Sequence, residues 1–397
     1  MKLTAIISEY NPFHNGHKFQ INMIKMNDDS HFVVAIMSGN FTQRGEPAVL
    51  DKWARARLAL LGGADIVIEL PALFALQSAE GFASGGVAVA NGLGVVDELC
   101  FGSESADMDK LRQAARVLAS EDARFRSSLK NSLSKGVSFP AARTAALNDA
   151  LGGDAEILNH PNDILAVEYL KALIRTESFI LPKAIKRAGA SYTDPIISGR
   201  IASALLIRGA LKKGDAQAAF TAIPPSVHGF LNECLSENRP VFPEYFFDLL
   251  IYKLRSMTES EISAIAGVAE GLQHKIKKSA AAAANYHGLL AGVKSKRYTQ
   301  TRLSRIFMCC LLGITQKMQE EANTYEGIYA RVLGYRSDAL PAFSRLCKES
   351  RIPVLTAGTQ LPDHILSRID IHASDVYSLA CADRTAGKDF TQKLIVE

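Results

Sequence analysis

Two histidines, His14 and His17, are three residues apart in a polar turn that follows an apolar, β-branched stretch and precedes a helical pattern. An imidazole can donate a hydrogen bond to a phosphate oxygen on which negative charge develops during a reaction, and its own charge responds to that phosphate. Gly16 lets the chain turn tightly and approach a ligand closely. The free backbone N–H groups of a first helical turn also favour an anion. The segment therefore predicts a phosphate-binding site.

Two other interpretations of this histidine pair stay open when the residues are taken singly. The rings could lie on a solvated surface turn, or they could supply half of a metal site. Further ligands with suitable spacing are missing nearby in the sequence, and we predict no protein-held metal. The order strand, turn, H-x-G-H and helix favours a nucleotide, because it places the turn at a helix N-terminus.

The elements that must position the histidines alternate along the first half of the chain. Apolar, β-branched runs predict strands, and the amphipathic or small-residue runs between them predict helices. Strands separated by helices indicate an α/β fold, with a parallel sheet and helices on both faces. Such a sheet binds its ligand outside the carboxyl ends of the strands. The predicted strands cover residues 3–8, 31–37, 64–70, 95–101 and 183–187, and the predicted helices cover 17–26, 51–61 and 78–90.

The second half of the chain has a different pattern. From about residue 210, long helical patterns dominate and strand patterns are sparse. We therefore predict a nucleotide-binding domain at 1–210 and a mainly α-helical, basic domain at 211–397. A chain of 397 residues, of which 48% are hydrophobic, is too long and too apolar for a disordered or fibrous protein.

Composition excludes several other classes of protein. Six cysteines without C-x-x-C spacing argue against a disulfide framework and against a structural zinc site. The sequence lacks an uncharged apolar run of about 18 residues, which a membrane span would need. The N-terminus lacks the pattern of a signal peptide. We therefore expect a cytoplasmic protein that does not enter the membrane.

Residues 271–310 form a basic tract, with eight lysines or arginines and no acidic residue, although the whole chain has a net charge of only +4. Such a tract, together with Tyr286 and Tyr298, fits attraction to a phosphate backbone combined with base stacking. The alternative is a set of helices whose solvated face happens to be basic. The residues that we predict to bind RNA are Lys275, Lys277, Lys278, Lys294, Lys296, Arg297, Tyr298, Arg302 and Arg305.

Further segments accompany the histidine motif in chain order. They are YNPFHNGH at 10–17, MSGNFTQRGEP at 37–47, KWARA at 52–56, GADIVIELP at 63–71, CFGSE at 100–104, PNDIL at 161–165, IKR at 185–187, IASALLIR at 201–208 and KRYTQTRLSRIFMCCLL at 296–312. Together they resemble the bacterial tRNA(Met) cytidine acetate ligase family. That family belongs to the H-x-G-H nucleotidyltransferases, whose Rossmann-like fold of the HUP type is shared with class I aminoacyl-tRNA synthetases.

The resemblance implies an ATP-dependent ligase that activates acetate as acetyl-AMP and releases pyrophosphate. The acetyl group then passes to N4 of the wobble cytidine in elongator tRNA(Met). The resemblance also implies catalytic roles for His14 and His17, Mg²⁺ as the partner of the triphosphate, and neither a tightly bound cofactor nor a protein partner. The ATP-binding residues that it implies are Ile7, Ser8, Glu9, Tyr10, Asn11, Pro12, Phe13, His14, Asn15, Gly16, His17, Lys18, Phe19, Gln20, Gly102, Asn162, Arg187, Ala188, Ser203 and Arg208.

Residues 203–208 resemble the second superfamily signature, in which a helix N-terminus and a basic residue hold the β- and γ-phosphates. Leu205 stands where the family pattern suggests a hydroxyl side chain, so only Ser203 and Arg208 are assigned to ATP. The alternative for this segment is an ordinary amphipathic helix that places Ile201, Leu205 and Ile207 in the core.

Two other functions are weighed against the ligase. A small-molecule adenylyltransferase of the pantetheine-phosphate or nicotinate-mononucleotide type would share the histidine motif. Such enzymes are usually shorter, and they do not need a basic tract free of acidic residues. An RNA-binding protein with a degenerate nucleotide fold would not need His14, Gly16 and His17 intact.

Overall fold

The structure is a computed structural model that describes residues 1–26, 30–152, 155–187, 201–356, 359 and 361–397. Of the residues predicted to bind ATP, Ala188 lies outside the described residues. Within the described ranges, every helix is too short or too polar to cross a membrane.

Eight strands in the described residues form one sheet. They are β1 (Lys2–Ser8), β2 (His31–Ser38), β3 (Ile66–Leu70), β4 (Glu98–Ser103), β5 (Leu181–Lys186), β6 (Ala330–Tyr335), β7 (Val354–Leu355) and β8 (Ile395–Val396). The spatial order is β5-β4-β1-β2-β3-β6-β7, and β8 pairs with β6. β1 to β5 are all parallel to one another, whereas β6 runs antiparallel to β3. The predicted α/β architecture with a mostly parallel sheet is therefore confirmed.

Helices cover both faces of the sheet and make up most of the second half. In the first half they are α1 (Asn15–Lys25), α2 (Lys52–Leu61), α3 (Ala72–Ala75), α4 (Ala79–Leu93), α5 (Met108–Ser120), α6 (Ala123–Ser134), α7 (Phe139–Leu151) and α8 (Pro161–Arg175). In the second half they are α9 (Ala204–Lys212), α10 (Ala216–Thr221), α11 (His228–Glu237), α12 (Phe247–Ser256), α13 (Glu259–Ser263), α14 (Leu272–Ala282), α15 (Tyr286–Val293), α16 (Gln300–Leu312), α17 (Gln316–Ala322), α18 (Leu340–Glu349), α19 (Ile365–Ser378) and α20 (Lys388–Thr391). Short 3₁₀ turns lie at Ala155–Asn159, Pro225–Val227, Pro243–Phe246 and Ser337–Ala339.

The sheet changes its winding direction at β1. From β1 the chain proceeds to β2 and β3 on one side, whereas β4 and β5 are added on the other side. In open α/β sheets, ligands bind outside the carboxyl ends of the strands at such a switch point. The histidine motif follows β1 and Gly102 lies near the end of β4, so both predicted segments are at the switch point.

The strand sequences explain why this sheet is buried on both faces. In β2, Val34 and Ile36 pack into the apolar core on one face, whereas Val33 and Met37 pack into the core on the other. Because side chains alternate along a strand, the nearly continuous apolar run of β2 supplies both faces with apolar surface. Packing in the two cores fixes the positions of the carboxyl ends of the strands, where the predicted site lies.

The last third of the chain adds three strands to the sheet, which was not predicted from the sequence. β6 pairs with β3 over residues 331–335, and both β7 and β8 pair with β6. β7 and β8 have only two residues each, too few for a periodic pattern. Strands of both segments, 1–210 and 211–397, belong to one sheet. The division at residue 210 therefore stays a prediction about which segment binds ATP and which binds RNA.

A buried group of charged side chains fastens the last third to the rest of the molecule. The Nζ of Lys52, at the start of α2, is 2.8 Å from Glu69 Oε2 and 2.6 Å from Asp389 Oδ1. Arg331 on β6 is 3.0 Å from Asp389 Oδ1. The pKa of Asp370 on α19 is raised to about 7, first by burial and then by the nearby charge of Glu69. These five residues are called the Lys52 network below.

Candidate functional site

The two histidines form the N-terminal cap of α1. His14 is the N-cap residue, and its Nδ1 accepts a hydrogen bond of 3.1 Å from the Gly16 N–H. The Nδ1 of His17 accepts a hydrogen bond of 3.2 Å from the His14 N–H. The two rings stack, with centroids 3.6 Å apart and planes 19° from parallel. The histidines thus occupy the two places of a capping box, which fixes both rings relative to the helix.

This arrangement determines the protonation of both rings. Because each Nδ1 accepts a hydrogen bond, the proton of the neutral ring is on Nε2, which remains the donor for a ligand. The pKa of His14 is lowered to about 3, mainly by burial and then by the positive charges of Arg187 and Arg208. The pKa of His17 is lowered well below 6.5 by burial, then by His14 and Arg187. Both imidazoles are therefore neutral N–H donors near neutral pH.

Gly16 fits closely beneath the His14 ring. A Cβ on Gly16 would lie 2.9 Å from His14 Cε1, so only glycine lets this ring cap the helix. The prediction that the first helical turn keeps its backbone N–H groups free for an anion is wrong for the first three of them. The Asn15 N–H donates to the Ala222 carbonyl at 2.9 Å, the Gly16 N–H donates to His14 Nδ1, and the His17 N–H donates to the His14 carbonyl at 2.9 Å. The donors of this turn that can bind a phosphate are therefore side chains, mainly the Nε2 N–H groups of His14 and His17.

The predicted ATP-binding loop is partly accessible. Tyr10 has a φ of +44°, a backbone conformation that is costly for a residue other than glycine and that clusters at functional sites. Its ring packs edge-on against the His17 ring, with centroids 4.8 Å apart. Within residues 7–20, seven residues are buried and seven are partly exposed. The buried residues are Ile7, Ser8, Tyr10, Asn11, Pro12, Phe13 and His14, and the partly exposed ones are Glu9, Asn15, Gly16, His17, Lys18, Phe19 and Gln20.

Arg208 brings the second predicted signature to the histidine loop. Ser203 is the N-cap of α9, and its hydroxyl accepts a backbone N–H of the first turn. Arg208 is buried, and its Nη1 donates to the Asn11 carbonyl at 3.0 Å. Its Nη2 is 3.3 Å from a carboxylate oxygen of Glu46. The structure therefore places Arg208 beside the loop of His14, and its predicted contact with ATP stays a prediction.

The alternative interpretation of this segment as an amphipathic helix is correct only in part. Ile207 is fully buried, but Leu205 is 43% exposed and does not belong to the core. α9 therefore packs one face into the core and also supplies Arg208 to the histidine loop.

The end of β4 and the start of α8 hold each other through reciprocal hydrogen bonds. Asp163 accepts from the Ser103 hydroxyl and, at 3.0 Å, from the Glu104 N–H. Glu104 accepts from the Asp163 N–H at 2.9 Å and from the Asn162 side-chain amide. The Asn162 Oδ1 in turn accepts from Arg187 Nη1 at 3.4 Å. These bonds fix the positions of two predicted ATP ligands, Asn162 and Arg187.

Gly102 lies against Arg187 at the carboxyl end of β4. A Cβ on Gly102 would lie 3.4 Å from Arg187 Cγ. The charge of Arg187 also lowers the pKa of both His14 and His17. The predicted residues from β4, α8 and β5 are therefore close to the histidines, although their contacts with ATP stay a prediction.

Arg55 on α2 shapes the site and was not predicted from the sequence. It is completely buried, and it donates to the carbonyl oxygens of Glu9 at 2.6 Å, Leu50 at 3.0 Å and Ser38 at 3.0 Å. Glu9 directly follows β1, and Ser38 is the last residue of β2. Arg55 therefore fixes the loops that follow both strands at the carboxyl edge of the sheet. The sequence did contain a signal for this role, an arginine within an apolar helical run. Such an arginine is buried when the helix packs, and a buried arginine needs hydrogen-bond acceptors.

The basic tract forms α14, α15, α16 and the turns between them. Many of its cations donate to carbonyl oxygens of the chain itself, which stabilises helix ends and turns. These donations run from Lys275 to Lys294 (2.8 Å), Lys277 to Arg255 (2.8 Å), Lys294 to Tyr298 (2.6 Å), Arg302 to Gly267 (3.1 Å) and Arg305 to Gln43 (3.1 Å). Lys278, Lys294, Lys296 and Arg297 are exposed. In the part of the chain that the structure describes, Lys278 and Lys296 make no hydrogen bond or ion pair.

Two features of the basic tract differ from the prediction. Tyr286 and Tyr298 are 4% and 7% exposed, so the expectation that these rings stack on bases is wrong. The tract also has an acidic neighbour from outside its own sequence, because Glu270 is 2.7 Å from Arg297. The exposed cations are therefore a smaller set than the sequence suggested.

Comparison with known proteins identifies relatives over the whole chain. The family model for HIGH Nucleotidyl Transferase matches residues 1–393. A tRNA(Met) cytidine acetate ligase of Acetivibrio thermocellus is 40% identical, with both chains covered completely. The protein of the same name from Clostridium novyi is 36% identical, with 98% of each chain covered.

Solved structures agree with these sequence relatives. The crystal structure of apo TmcAL from Thermotoga maritima is 33% identical and superimposes with a TM-score of 0.94, with both chains covered completely. The crystal structure of the same protein bound with alpha-thio ATP superimposes with a TM-score of 0.91. The predicted Rossmann-like fold and the predicted family are thereby confirmed. The chain belongs to the HIGH nucleotidyl transferase family and, within it, to the tRNA(Met) cytidine acetate ligases.

Proposed function

We propose that the protein is an ATP-dependent ligase that activates acetate as acetyl-AMP and acetylates N4 of the wobble cytidine in elongator tRNA(Met). Relatives with that ligase name align over the full length, and a similar structure binds alpha-thio ATP. One observation in this chain carries the proposal. His14 and His17 are neutral imidazoles whose Nδ1 atoms are occupied and whose Nε2 N–H groups remain as donors beside Arg187 and Arg208.

In the first step, a carboxylate oxygen of acetate attacks the α-phosphorus of ATP, and the bond from that phosphorus to pyrophosphate breaks. Negative charge grows on the phosphate oxygens in the transition state. His14 and His17 donate hydrogen bonds to that charge without bringing a charge of their own, and fixed donors of this kind need no reorganisation. Arg187 and Arg208 balance the charge of the phosphates.

In the second step, N4 of cytidine attacks the acetyl carbonyl carbon. The bond to the AMP oxygen breaks, AMP leaves with the bonding electrons, and N4 loses a proton. The contribution of the chain is to hold the mixed anhydride against the base, which converts a bimolecular step into a nearly intramolecular one.

The residues that bind ATP in this proposal are the loop 7–20 with Gly102, Asn162, Arg187, Ala188, Ser203 and Arg208. The amide Nδ2 of Asn11 is buried, and within the described residues it has no hydrogen-bond partner. An unpaired buried donor is destabilising by about 1–3 kcal/mol. It therefore suits a loop that completes its hydrogen bonds when a nucleotide binds.

ATP enters this reaction as its Mg²⁺ complex, in which the phosphates hold the ion. Within the described ranges, no three His, Cys, Asp or Glu side chains are grouped so that they could hold a metal. In this proposal the ion belongs to the substrate, and the protein contributes donors to the phosphates.

Residues 211–397 bind the tRNA in this proposal, through the exposed cations of the basic tract. Lys278, Lys294, Lys296 and Arg297 are exposed and can attract backbone phosphates, although Lys294 also donates to the Tyr298 carbonyl and Arg297 is paired with Glu270. A cytoplasmic location belongs to the proposal, because ATP and tRNA are found together there.

The test is to incubate the purified protein with ATP, acetate and elongator tRNA(Met). We expect acetate-dependent release of pyrophosphate and N4-acetylcytidine in the anticodon, the latter measured by mass spectrometry of nuclease digests. An unmodified anticodon contradicts the proposal. Pyrophosphate release with pantetheine phosphate or nicotinate mononucleotide in place of acetate would support the small-molecule adenylyltransferase instead.

A further inference from the structure

Residues 41–47, between β2 and α2, form a tight hairpin that lies between the histidine loop and the basic tract. Phe41 and Pro47 form its antiparallel base. Inside it, the Thr42 N–H donates to the Glu46 carbonyl at 2.9 Å, and the Gly45 N–H donates to the Thr42 carbonyl at 2.9 Å. This segment is called the Gly45 hairpin below, and its internal hydrogen bonds make it a compact unit.

On one side, the Gly45 hairpin is packed directly onto the backbone of α16. A Cβ on Gly45 would lie 2.2 Å from the Arg305 backbone nitrogen and 2.4 Å from the Ser304 carbonyl carbon. The Arg305 Nη1 also donates to the Gln43 carbonyl at 3.1 Å. Because helix backbone cannot rotate away as a side chain can, the position of α16 sets the position of the hairpin.

On its other side, the Gly45 hairpin contacts the histidine loop by two routes. The Gln43 N–H donates to Glu9 Oε1 at 2.9 Å, and Glu9 is the residue that follows β1. Glu46 is 3.3 Å from Arg208, which donates to the Asn11 carbonyl at 3.0 Å. The hairpin therefore touches the loop before His14 directly and also through Arg208.

We propose that the Gly45 hairpin is a positioning element through which α16 of the basic tract sets the geometry of the ATP site. Gly45 and Arg305 act through Glu9 and Arg208, and they touch no reacting atom. Arg305, which was predicted to bind RNA, is thereby assigned to holding this hairpin. The inference rests on the proposed function, because it assigns the positioning to the adenylation step. Adenylation is expected to depend on α16 even when no tRNA is present.

The test compares Gly45→Ala with Gly136→Ala in the full-length protein, using acetate-dependent exchange of pyrophosphate into ATP without tRNA. Both glycines have a positive φ, +73° and +77°, so the backbone strain of alanine is matched. Only Gly45 has neighbours, since a Cβ on Gly136 would meet nothing within 4 Å. We expect Gly45→Ala to raise the KM for ATP and lower kcat, with kcat/KM reduced about 10- to 100-fold, because small misplacements near the chemistry have effects of this size. Gly136→Ala should stay within about 2-fold of the wild type.

A second pair of variants keeps the test informative if Gly45→Ala does not fold. Arg305→Ala should reduce kcat/KM for ATP about 3- to 10-fold, and Arg305→Lys, which retains a donor, should recover most of it. Arg255→Ala is the control, because Arg255 also donates to backbone carbonyls, those of Ala280 and Ala283, away from the site. A loss of active protein alone would lower kcat and leave KM unchanged.

The outcomes separate this inference from the proposed function. A wild-type protein that exchanges no pyrophosphate contradicts the proposed function itself. An active wild type whose Gly45 and Arg305 variants keep the wild-type KM for ATP contradicts only the role of the Gly45 hairpin.

Discussion

The histidine site and the Lys52 network are both buried groups of polar side chains near the carboxyl ends of parallel strands, β1 and β3 respectively, but their charges are balanced differently. In the Lys52 network, each of the two cations lies within 3.0 Å of a carboxylate. In the histidine site the imidazoles are neutral, Arg187 contacts the amide of Asn162, and only Arg208 lies near a carboxylate. A buried group with balanced charges holds the structure together, whereas an excess of donors suits an anionic ligand.

The largest effect is expected from Lys52→Ala, which leaves Glu69 and Asp389 buried without their cation. Breaking a buried ion pair by removing one partner destabilises a protein by about 3–5 kcal/mol. We expect a loss of that size in the free energy of unfolding, measured by urea denaturation. The control is Arg345→Ala, which removes an exposed pair with Glu349 on α18 and should lower stability by less than about 1 kcal/mol. Equal losses for the two variants would mean that the Lys52 network does not fasten the last third.

His17→Ala should show the opposite behaviour, with a large effect on activity and a small one on stability. The loss of one donor to a transition state reduces the rate about 10²- to 10³-fold, whereas the loss of a helix cap lowers stability by about 1 kcal/mol. We expect acetyl-AMP formation to fall by that factor, measured by pyrophosphate exchange. Wild-type exchange in this variant would show that the ring does not contact the phosphates.

The two regions should respond to pH with opposite signs. The pKa of His14 is about 3 in the folded chain and about 6.5 when unfolded, so the unfolded chain binds more protons between these values. Stability therefore falls as the pH is lowered from about 6.5 to 3. The pKa of Asp370 is about 7 in the folded chain and about 3.9 when unfolded, so its contribution is lost as the pH rises from about 4 to 7.

Variants of these two residues can separate the two responses. His14→Asn keeps an N-cap side chain and should reduce the loss of stability in acid. Asp370→Asn keeps the acceptor for the Ala72 N–H and should remove the opposite slope. The measurement is the free energy of unfolding at a series of pH values from 4 to 7. A change of slope with the same sign in both variants would contradict the comparison.

The smallest effect is expected on the RNA side. Lys278→Ala combined with Lys296→Ala should weaken tRNA binding and reduce the slope of log K against log salt by about 1 for each lost phosphate contact. Acetyl-AMP formation should not change. The matched control is Lys130→Ala with Lys135→Ala, which removes two exposed lysines of the α6 region outside the basic tract. The same loss in both double variants would mean that overall charge, rather than this surface, attracts the tRNA.

The histidine site was predictable from the sequence because its parts are local. A strand, a turn and a helix with Gly16 in its first turn lie within 25 residues, and the residue types alone indicate a phosphate ligand. The approach of Arg208 could be anticipated only from the family resemblance, because its hydrogen bond to Asn11 joins residues far apart in the chain. The occupied Asn15 N–H was not predictable, since its acceptor is the Ala222 carbonyl.

The added strands and the burial of side chains in the basic tract could not be predicted, because they depend on packing between residues far apart in the chain. β7 and β8 have two residues each, and β6 becomes a strand by pairing with β3. Burial of Tyr286 and Tyr298 follows from how the helices pack, whereas the sequence shows only two aromatic rings among cations. The number of exposed cations in the basic tract was overestimated for the same reason, since many of these side chains donate hydrogen bonds to backbone carbonyl oxygens.

The antiparallel pairing of β3 with β6 has a consequence for synthesis of the protein on the ribosome. Until Ala330–Tyr335 has emerged, β3 is an apolar edge strand, and exposed apolar edges promote aggregation. At roughly 5–20 residues per second, the wait between the two strands lasts on the order of tens of seconds. A nascent chain with this topology is therefore a natural client for chaperones, and a fragment that stops before β6 should precipitate when it is expressed alone.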